Sequence, residues 1–313
     1  MTRAGRVISL ESIIVDLRVD VPELPRIGGD VIASGSRVQV GGGFNVVAAA
    51  ARQGVPTVYA GRIGSGPYGR LVAEALTGEG VTVGGPTDPD EDSGYCVAFH
   101  VPGSDPTYVT VPGAEGRLRP EDLAGLGPGA GDVLCVSGYD LMYEVSGPTI
   151  TGWLGDHGAG PRVVLDPGPL VLDIPTPAMG AAVGVLDVLT LSAREALLVA
   201  GAEPSGGELH HSVRRRLGLR DATVLVIRAG DEGCTATGGE LRGLVPVPAD
   251  VVDAVDVTGA GDTHTGVLAA RLAEGSDFGR ALTAANEAAA LSVTVRGPAT
   301  APARSDMRNA AID

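Results

Sequence analysis

The chain has 313 residues, 44% of them hydrophobic, and a formal net charge of −15 at pH 7. That is enough apolar material for one α/β domain with a large buried core, and the acidic balance argues against a nucleic-acid partner. All 23 cationic side chains are arginine, which excludes mechanisms that need lysine, such as the P-loop lysine or Schiff-base chemistry.

The cysteines and the apolar runs bear on the compartment. Cys96, Cys135 and Cys234 are odd in number and lack metal-ligand spacing, so we expect neither a disulfide framework nor a zinc site. No uninterrupted apolar run approaches the ~20 residues of a membrane span. We therefore expect a soluble, cytoplasmic protein without a membrane partner.

Short β-rich runs alternate with Ala- and Leu-rich stretches along the chain. This alternation predicts a mostly parallel sheet covered by helices on both faces. The predicted strands cover residues 7–9, 57–61, 133–137, 162–166, 188–191 and 224–228. The predicted helices cover residues 45–53, 68–76, 194–199, 208–217, 265–273 and 279–293.

Two stretches, at about 12–40 and 93–112, break this alternation. They consist of extended segments separated by turns, including a predicted hairpin of residues 93–101 and 107–111 around Gly103-Ser104-Asp105-Pro106. We find no internal repeat and no interdomain linker. Residues 1–313 are therefore expected to form a single domain.

A GxGxxG pattern formed by Gly64, Gly66 and Gly69 lies between a predicted strand and a predicted helix. With Asp88 about twenty residues further on, it matches the dinucleotide-binding fingerprint and supports an NAD(P)-dependent oxidoreductase as an alternative of a different class. Against this alternative, Pro67 removes a backbone donor from the middle of the turn.

Residues 256–266 form a small-residue turn that leads into an apolar helix. The first N–H groups of a helix lack intrahelical acceptors and the helix dipole favours anions there, so Gly259, Ala260 and Gly261 can present amides to a phosphate. Asp262 then has the position of a base that takes a proton from an attacking hydroxyl. The alternative is an ordinary glycine turn with Asp262 as the helix N-cap.

This segment resembles the DTxGAGDxFxG signature of the ribokinase-like (PfkB) carbohydrate kinases, and residues 41–54 resemble that family's GGxxxNxAxxxxxLG signature. The resemblance covers nearly the whole chain. It implies a three-layer α/β fold with a mostly parallel central sheet, and a small β-sheet lid built from residues 12–40 and 93–112. It also implies a homodimer through the lid sheet.

The implied activity is transfer of the γ-phosphoryl group of ATP to a hydroxyl of a sugar or sugar-like molecule, with ATP and Mg²⁺, and in many relatives K⁺, as cofactors. A nucleoside kinase of the same fold is the second alternative. The implied catalytic groups are Asp262, Gly259, Ala260 and Gly261. The residues implied to bind the acceptor are Asp16, Gly42, Gly43 and Asn45.

The residues implied to approach the nucleotide are Ser192, Glu195, Arg228, Gly230, Gly233 and Asn286. Among them, Glu195 would hold Mg²⁺ through water. The residues whose carbonyl groups would hold a monovalent cation are Asp256, Thr258, Ser292, Val295 and Gly297.

These assignments have structural alternatives. Asp16 could instead be a solvent-facing loop residue, and Arg228 could be an ordinary surface charge. Glu195 could be a glutamate that the helix dipole favours in the first turn of a helix. Gly42 and Gly43 have the alternative of a turn that caps the next helix. His264 stands where relatives usually have Phe, and we expect it to pack behind the anion site.

Two departures from the family pattern affect these expectations, the first at the metal site and the second at the substrate site. Ser192 replaces the usual Asn, which leaves Glu195 as the firmer assignment. Gly138 stands where ribose kinases have a glutamate, so ribose is not the first expectation. The chain has only three Phe and one Trp, which leaves little stacking surface for a nucleobase and favours a plain sugar.

Overall fold

The computed structural model describes residues 5–104, 106–156, 160–201 and 204–308. The strands in these ranges are β1 (Val7–Ser9), β2 (Ile13–Asp20), β3 (Gly35–Gly42), β4 (Thr57–Tyr59), β5 (Ile63–Gly64), β6 (Thr82–Val83), β7 (Thr87–Asp88), β8 (Tyr95–His100), β9 (Thr107–Val111), β10 (Val133–Ser137), β11 (Arg162–Asp166), β12 (Val188–Ser192), β13 (Val224–Arg228), β14 (Cys234–Thr237) and β15 (Val245–Val247). The α-helices are α1 (Phe44–Arg52), α2 (Pro67–Gly78), α3 (Pro120–Leu123), α4 (Gly138–Met142), α5 (Ser146–Asp156), α6 (Thr176–Val185), α7 (Ala193–Ala200), α8 (Gly206–Leu217), α9 (Ala260–Ala273) and α10 (Phe278–Ser292).

Nine strands form the central sheet in the order β15-β14-β13-β12-β11-β10-β1-β4-β6. All neighbours from β13 to β6 are parallel, and β14 and β15 add an antiparallel edge. The central strands are continuous buried apolar runs, as a sheet covered on both faces requires. The predicted mostly parallel sheet is confirmed.

Each face of this sheet carries its own hydrophobic core. Along β10, Leu134 and Val136 pack with residues of α5, α6, α7 and α8, whereas Val133 and Cys135 pack with residues of α1, α9 and α10. This alternation follows from the two-residue period of a strand. The result is the predicted arrangement of three layers. Within the described ranges no helix is both long and apolar enough to cross a membrane.

A separate four-stranded sheet, the small sheet, has the order β3-β2-β8-β9. It contains the strands of the two irregular stretches, and β8 and β9 form the predicted antiparallel hairpin; Asp105 of its turn lies outside the described residues. In register, Asp16 of β2 lies opposite Cys96 of β8 and Gln39 of β3. One face of the small sheet therefore carries Asp16, and closure of this sheet as a lid stays a prediction.

Candidate active site

The candidate site lies at the carboxyl ends of the parallel strands of the central sheet. Ser137, Asp166, Ser192 and Arg228 are the last residues of β10, β11, β12 and β13, and they are paired in register as Ser137 with Asp166 and Ser192 with Arg228. Helix α9 begins beside these strand ends, since the Gly261 carbonyl accepts a hydrogen bond from Arg228. In open α/β sheets ligands bind outside the carboxyl ends of the strands.

The start of α9 requires glycine at position 259. Gly259 has φ 77° and is the N-cap, and a Cβ atom there would lie 2.1 Å from the Pro298 carbonyl oxygen. The Ala260 amide donates to the Val257 carbonyl at 3.3 Å, so it serves the turn itself. Among the described residues, the amides of Gly261 and Asp262 have no hydrogen-bond acceptor, and they are donors available to an anion.

Asp262 is the third residue of α9 and does not cap it, because no side chain accepts a hydrogen bond at the N-cap. The N-cap alternative for Asp262 is therefore wrong. Its Oδ2 atom accepts a hydrogen bond from Asn45 Nδ2 at 2.7 Å. Burial raises the pKa of this half-buried carboxyl to about 6, with the charge of Asp166 adding to the rise and the Asn45 hydrogen bond opposing it. A pKa near the working pH suits a general base.

Asn45 reaches Asp262 because two helices approach closely. Asn45 lies in the first turn of α1 and is buried. At Gly266, in α9, a Cβ atom would lie 2.3 Å from the Val46 carbonyl oxygen, so glycine permits the contact between α1 and α9. The Oδ1 atom of Asn45 is buried without a hydrogen-bond partner.

Asp16 lies in strand β2 and is half-buried, so the solvent-facing loop alternative is wrong. Its carboxylate folds over Gly41 of β3, where a Cβ atom would lie 2.0 Å from Asp16 Oδ2. Burial, followed by the charge of Asp262, raises the pKa of Asp16 to about 6. The carboxyls of Asp16 and Asp262 are thus close enough to interact electrostatically, and each, when ionised, accepts hydrogen bonds from hydroxyls.

Gly42 and Gly43 form the turn between β3 and α1. Gly42 has φ 64°, and the Gly43 amide donates to the Ser12 carbonyl at 2.8 Å. Gly43 is the N-cap of α1. The helix-capping reading therefore describes their geometry, and contact with the acceptor stays a prediction.

Two residues of α4, directly after β10, were missed by the sequence analysis. Asp140 is almost fully buried and accepts hydrogen bonds from Ser12 Oγ at 2.5 Å and Ser137 Oγ at 2.6 Å. The half-buried Tyr139 precedes Asp140 in α4, and burial, followed by neighbouring groups that include Asp262 and Asp16, raises the pKa of its phenol. Their position directly after a buried strand was the available signal.

Glu195 and Ser192 form a capping box at the start of α7. Ser192 Oγ accepts from the Glu195 amide at 3.2 Å, and Glu195 Oε2 accepts from the Ser192 amide at 2.7 Å. Ser192 therefore caps α7, although the motif that this segment resembles has Asn at this position. The first-turn alternative describes the geometry of Glu195, and a role with Mg²⁺ stays a prediction.

Arg228 is not a surface charge, since its side chain is 13% exposed. Its Nη1 atom donates to Asp166 Oδ2 at 2.7 Å and to the Gly261 carbonyl at 3.0 Å. Asp166 is a further residue that the sequence analysis missed, although it ends a buried predicted strand. Arg228 thus lies against the first turn of α9, and its contact with the phosphates stays a prediction.

Gly230, Gly233 and Asn286 shape the region beyond Arg228. Gly230 and Gly233 have φ 61° and 89° and form the turn from β13 to β14. Asn286 is buried, and its Nδ2 atom donates to the Val247 carbonyl at 2.8 Å, which fixes the end of β15 against α10. Contact of these residues with the nucleotide stays a prediction.

The loops expected to hold a monovalent cation come together through Asp256. Its carboxylate accepts from the Thr258 amide at 3.0 Å and from the Gly297 amide at 3.2 Å. Binding of K⁺ by the carbonyl groups of these loops stays a prediction. His264 is buried and has a pKa lowered by burial to about 3, so it is neutral, in keeping with a packing role.

The GxGxxG pattern has a different role from the one considered in the sequence analysis. The amides of Tyr68 and Gly69, at the start of α2, donate to the Asp92 carboxylate at 3.0 and 2.7 Å, so an internal carboxylate already occupies this helix start. Asp88 is paired with Arg62 at 2.6 Å. The Tyr68 and Gly69 amides are therefore not available to a pyrophosphate, which argues against the oxidoreductase alternative.

A family model described as pfkB family carbohydrate kinase matches residues 5–304. The chain belongs to the PfkB family of carbohydrate kinases. Since this match spans both glycine signatures, the family predicted from residues 41–54 and 256–266 is confirmed.

Individual PfkB-family proteins match over most of the chain. An uncharacterized sugar kinase of Escherichia coli K12, YegV, is 27% identical over 98% of this chain and 94% of its own length, and Bacillus subtilis ribokinase is 29% identical over 89% of each. Arabidopsis thaliana ribokinase, solved with ribose and ATP, has a TM-score of 0.80 at 23% identity over 100% of both chains. Giardia lamblia ribokinase has a TM-score of 0.82 at 18% identity over 97% of each chain. These structures confirm the ribokinase-like fold.

Proposed function

We propose that this protein transfers the γ-phosphoryl group of ATP to a hydroxyl group of a sugar or sugar-like molecule, with Asp262 as the general base. One observation carries the proposal. A carboxyl with a pKa of about 6 stands in the first turn of α9, directly beside the acceptor-free amides of Gly261 and Asp262. A base and an anion site side by side are what in-line phosphoryl transfer to an alcohol requires.

On the acceptor side, the reaction begins with binding of the hydroxyl-bearing molecule between Asp16 and Asp262. Asp16 accepts hydrogen bonds from hydroxyls that do not react, and Asp262 accepts one from the hydroxyl that does. Asn45 holds the Asp262 carboxylate in place through its 2.7 Å hydrogen bond. Asp262 then takes the proton as the hydroxyl oxygen attacks, and closure of the small sheet would exclude water from the site.

On the nucleotide side, the acceptor-free amides at the start of α9 and the Arg228 guanidinium would donate hydrogen bonds to phosphate oxygens. Glu195 would hold Mg²⁺ beside them. When bound, Mg²⁺ neutralises charge on the phosphates. Because the chain has no lysine, these groups replace the lysine that other kinase folds use.

Tyr139 gives specific support to a nucleoside as the alternative acceptor. The scarcity of Phe and Trp favours a plain sugar, but the half-buried Tyr139 follows the end of β10 at the candidate site, where its ring would stack on a base or on the apolar face of a sugar. The sugar remains our first choice, because a single ring at the site serves both.

A screen of acceptors tests the proposed function. ATP consumption with Mg²⁺ is coupled to a reporter enzyme and measured with pentoses, hexoses, keto-acid sugars and nucleosides, each with and without K⁺. We expect turnover that depends on at least one sugar, with typical kinase rates of about 1–100 s⁻¹. Turnover with nucleosides only would establish the alternative, and absence of any acceptor-dependent ATP consumption would contradict the proposal.

The pH dependence of kcat/KM follows from the two raised pKa values. Since Asp262 acts as a base and Asp16 as an acceptor of hydrogen bonds, both work as carboxylates, and each is lost as the pH falls through about 6. We expect a plateau above pH ~7 and a fall of about tenfold to hundredfold per pH unit below pH ~5.5. Asp16→Asn should reduce that slope to about tenfold. A flat profile from pH 5 to 8 in folded protein would contradict these roles.

Two features of the described residues support the proposed assembly and location. Val38 and Val109 are more than half exposed, and register places both on the face of the small sheet opposite Asp16. This apolar face supports the proposed homodimer through the small sheet. The three cysteines are unpaired and buried, which supports the proposed cytoplasmic location.

A further inference from the structure

Arg228 is held by groups from two different segments of the chain. Its Nη1 atom lies 2.7 Å from Asp166 Oδ2, 3.0 Å from the Gly261 carbonyl oxygen and 3.1 Å from Thr265 Oγ1. Asp166 ends β11, whereas Gly261 and Thr265 belong to the first two turns of α9. A single guanidinium nitrogen therefore joins the sheet edge to the helix that carries the proposed base.

Asp166 is itself fixed on two further sides. Thr265 Oγ1 donates to Asp166 Oδ2 at 3.3 Å, and the Gly168 amide donates to Asp166 Oδ1 at 3.2 Å. Asp166, Arg228 and Thr265 thus form a closed triangle of hydrogen bonds. The side chains of Asp166 and Arg228 are only 14% and 13% exposed, and hydrogen bonds between charged groups shielded from water are the strong ones.

The other terminal nitrogen of Arg228 is turned to a different neighbour. Nη2 makes no hydrogen bond within the described part of the chain, and it lies 3.9 Å from Glu195 Oε2. That is the side of the site on which the proposed function puts the nucleotide phosphates and Mg²⁺. Asp166 therefore occupies Nη1 of the guanidinium, and Nη2 remains on the side of Glu195.

We propose that Asp166 is a positioning residue for phosphoryl transfer, which fixes Arg228 against the first turn of α9 so that Arg228 Nη2 and the acceptor-free amides converge on the phosphoryl group that is being transferred. The inference rests on the proposed function. Asp166 touches neither reactant and acts through Arg228. A guanidinium held in advance needs no reorganisation when negative charge spreads over the phosphoryl oxygens.

Binding of a transition-state mimic tests this role without a known acceptor. The dissociation constant of ADP with Mg²⁺ is measured by calorimetry with and without aluminium fluoride, which mimics the phosphoryl group in the transition state. The variants are Asp166→Asn, Arg228→Gln and the double variant, and Thr265→Val is the control that retains both charges. Thermal unfolding establishes that each variant is folded.

Aluminium fluoride should tighten ADP binding in the native protein. We expect Asp166→Asn to reduce this tightening about tenfold to hundredfold with little change in the binding of ADP alone, and Thr265→Val to reduce it much less. In the Arg228→Gln background, Asp166→Asn should have no further effect, because residues that act as one unit are not additive.

Three results would overturn the inference. The first is that Asp166→Asn weakens the binding of ADP equally with and without aluminium fluoride. The second is that the effects of Asp166→Asn and Arg228→Gln on this binding add in the double variant. The third is that aluminium fluoride tightens ADP binding to Asp166→Asn as much as to the native protein. A merely structural role of Asp166 predicts the first of these. The proposed function is tested separately by the acceptor screen, so that either can fail while the other stands.

Discussion

Asp262→Asn is expected to lower kcat by about 10²–10⁴-fold, the usual contribution of one positioned general base. The amide keeps the size of the side chain and can still accept the Asn45 hydrogen bond, but it cannot take a proton. Coupled ATP consumption at pH 8, with the acceptor found in the screen, measures the loss. Retention of more than about a tenth of native turnover would contradict the role of Asp262.

Asp16→Asn is the matched comparison, because both carboxyls are half-buried and have pKa values of about 6. It should raise the KM for the acceptor more than it lowers kcat, since Asp16 is proposed to bind hydroxyls that do not react. Equal losses of kcat in Asp16→Asn and Asp262→Asn would contradict the assignment of separate roles, with Asp262 as the base and Asp16 as a binding residue.

The stability of Asp262→Asn should separate chemistry from folding. A carboxyl whose pKa is raised by folding stabilises the native state at low pH and loses this contribution as the pH rises through about 6. The amide does not titrate, and its NH₂ group can donate to the unpartnered Asn45 Oδ1. The variant should therefore unfold at a higher temperature than the native protein above pH ~6, and the difference should shrink towards pH ~4.

Gly259→Ala is expected to cause the second large loss, about 10²–10³-fold in kcat, comparable to removal of one oxyanion donor. A Cβ atom at Gly259 would lie 2.1 Å from the Pro298 carbonyl oxygen, in a backbone conformation of φ 77° that alanine rarely adopts. The first turn of α9 must then shift, and its amides with it. The free energy of unfolding, measured in urea, should also fall by about 2–4 kcal/mol.

Gly275→Ala is the matched control at the other end of the same helix. Gly275 has φ 86°, and a Cβ atom there would meet nothing within 4 Å. This variant carries the conformational cost of about 1–2 kcal/mol without the clash, and its kcat should be unchanged. If both variants lost the same stability and neither lost turnover, the first turn of α9 would not be the anion site.

Much of the fold is predictable because its signals are local. Buried runs such as Val133–Ser137 and Val224–Arg228 are apolar throughout, which marks strands of a parallel sheet. The predicted helix at 45–53 differs by one residue at each end from α1. Helix α9 begins five residues before the predicted start at 265, since small polar residues in its first turn hide the apolar pattern.

Helices α3 to α6 were not predicted because their sequences are poor helix formers. Helix α5 (Ser146–Asp156) contains three glycines and a proline, and it depends on the burial of Ile150 and Leu154 against the core. The antiparallel edge, β14 and β15, was also missed. Its short strands carry Gly and Pro nearby, and only pairing with β13 makes them strands.

The site was predictable residue by residue but not in its contacts. Asp262, Asn45 and Asp16 are visible in two signatures and a strand. The hydrogen bond from Asn45 to Asp262 joins residues 217 positions apart, and the pairing of Arg228 with Asp166 crosses the end of β12. Raised pKa values depend on such long-range packing, and no local pattern encodes it.

The central claim is that Asp262 takes the proton of the acceptor hydroxyl while the start of α9 holds the phosphoryl group. Its most direct test is a crystal structure of Asp262→Asn with ATP, Mg²⁺ and the acceptor from the screen. We expect the acceptor oxygen about 3 Å from the side chain at position 262 and the γ-phosphate on the amides of residues 261 and 262. An acceptor hydroxyl held by another group, with the γ-phosphate away from these amides, would contradict the claim.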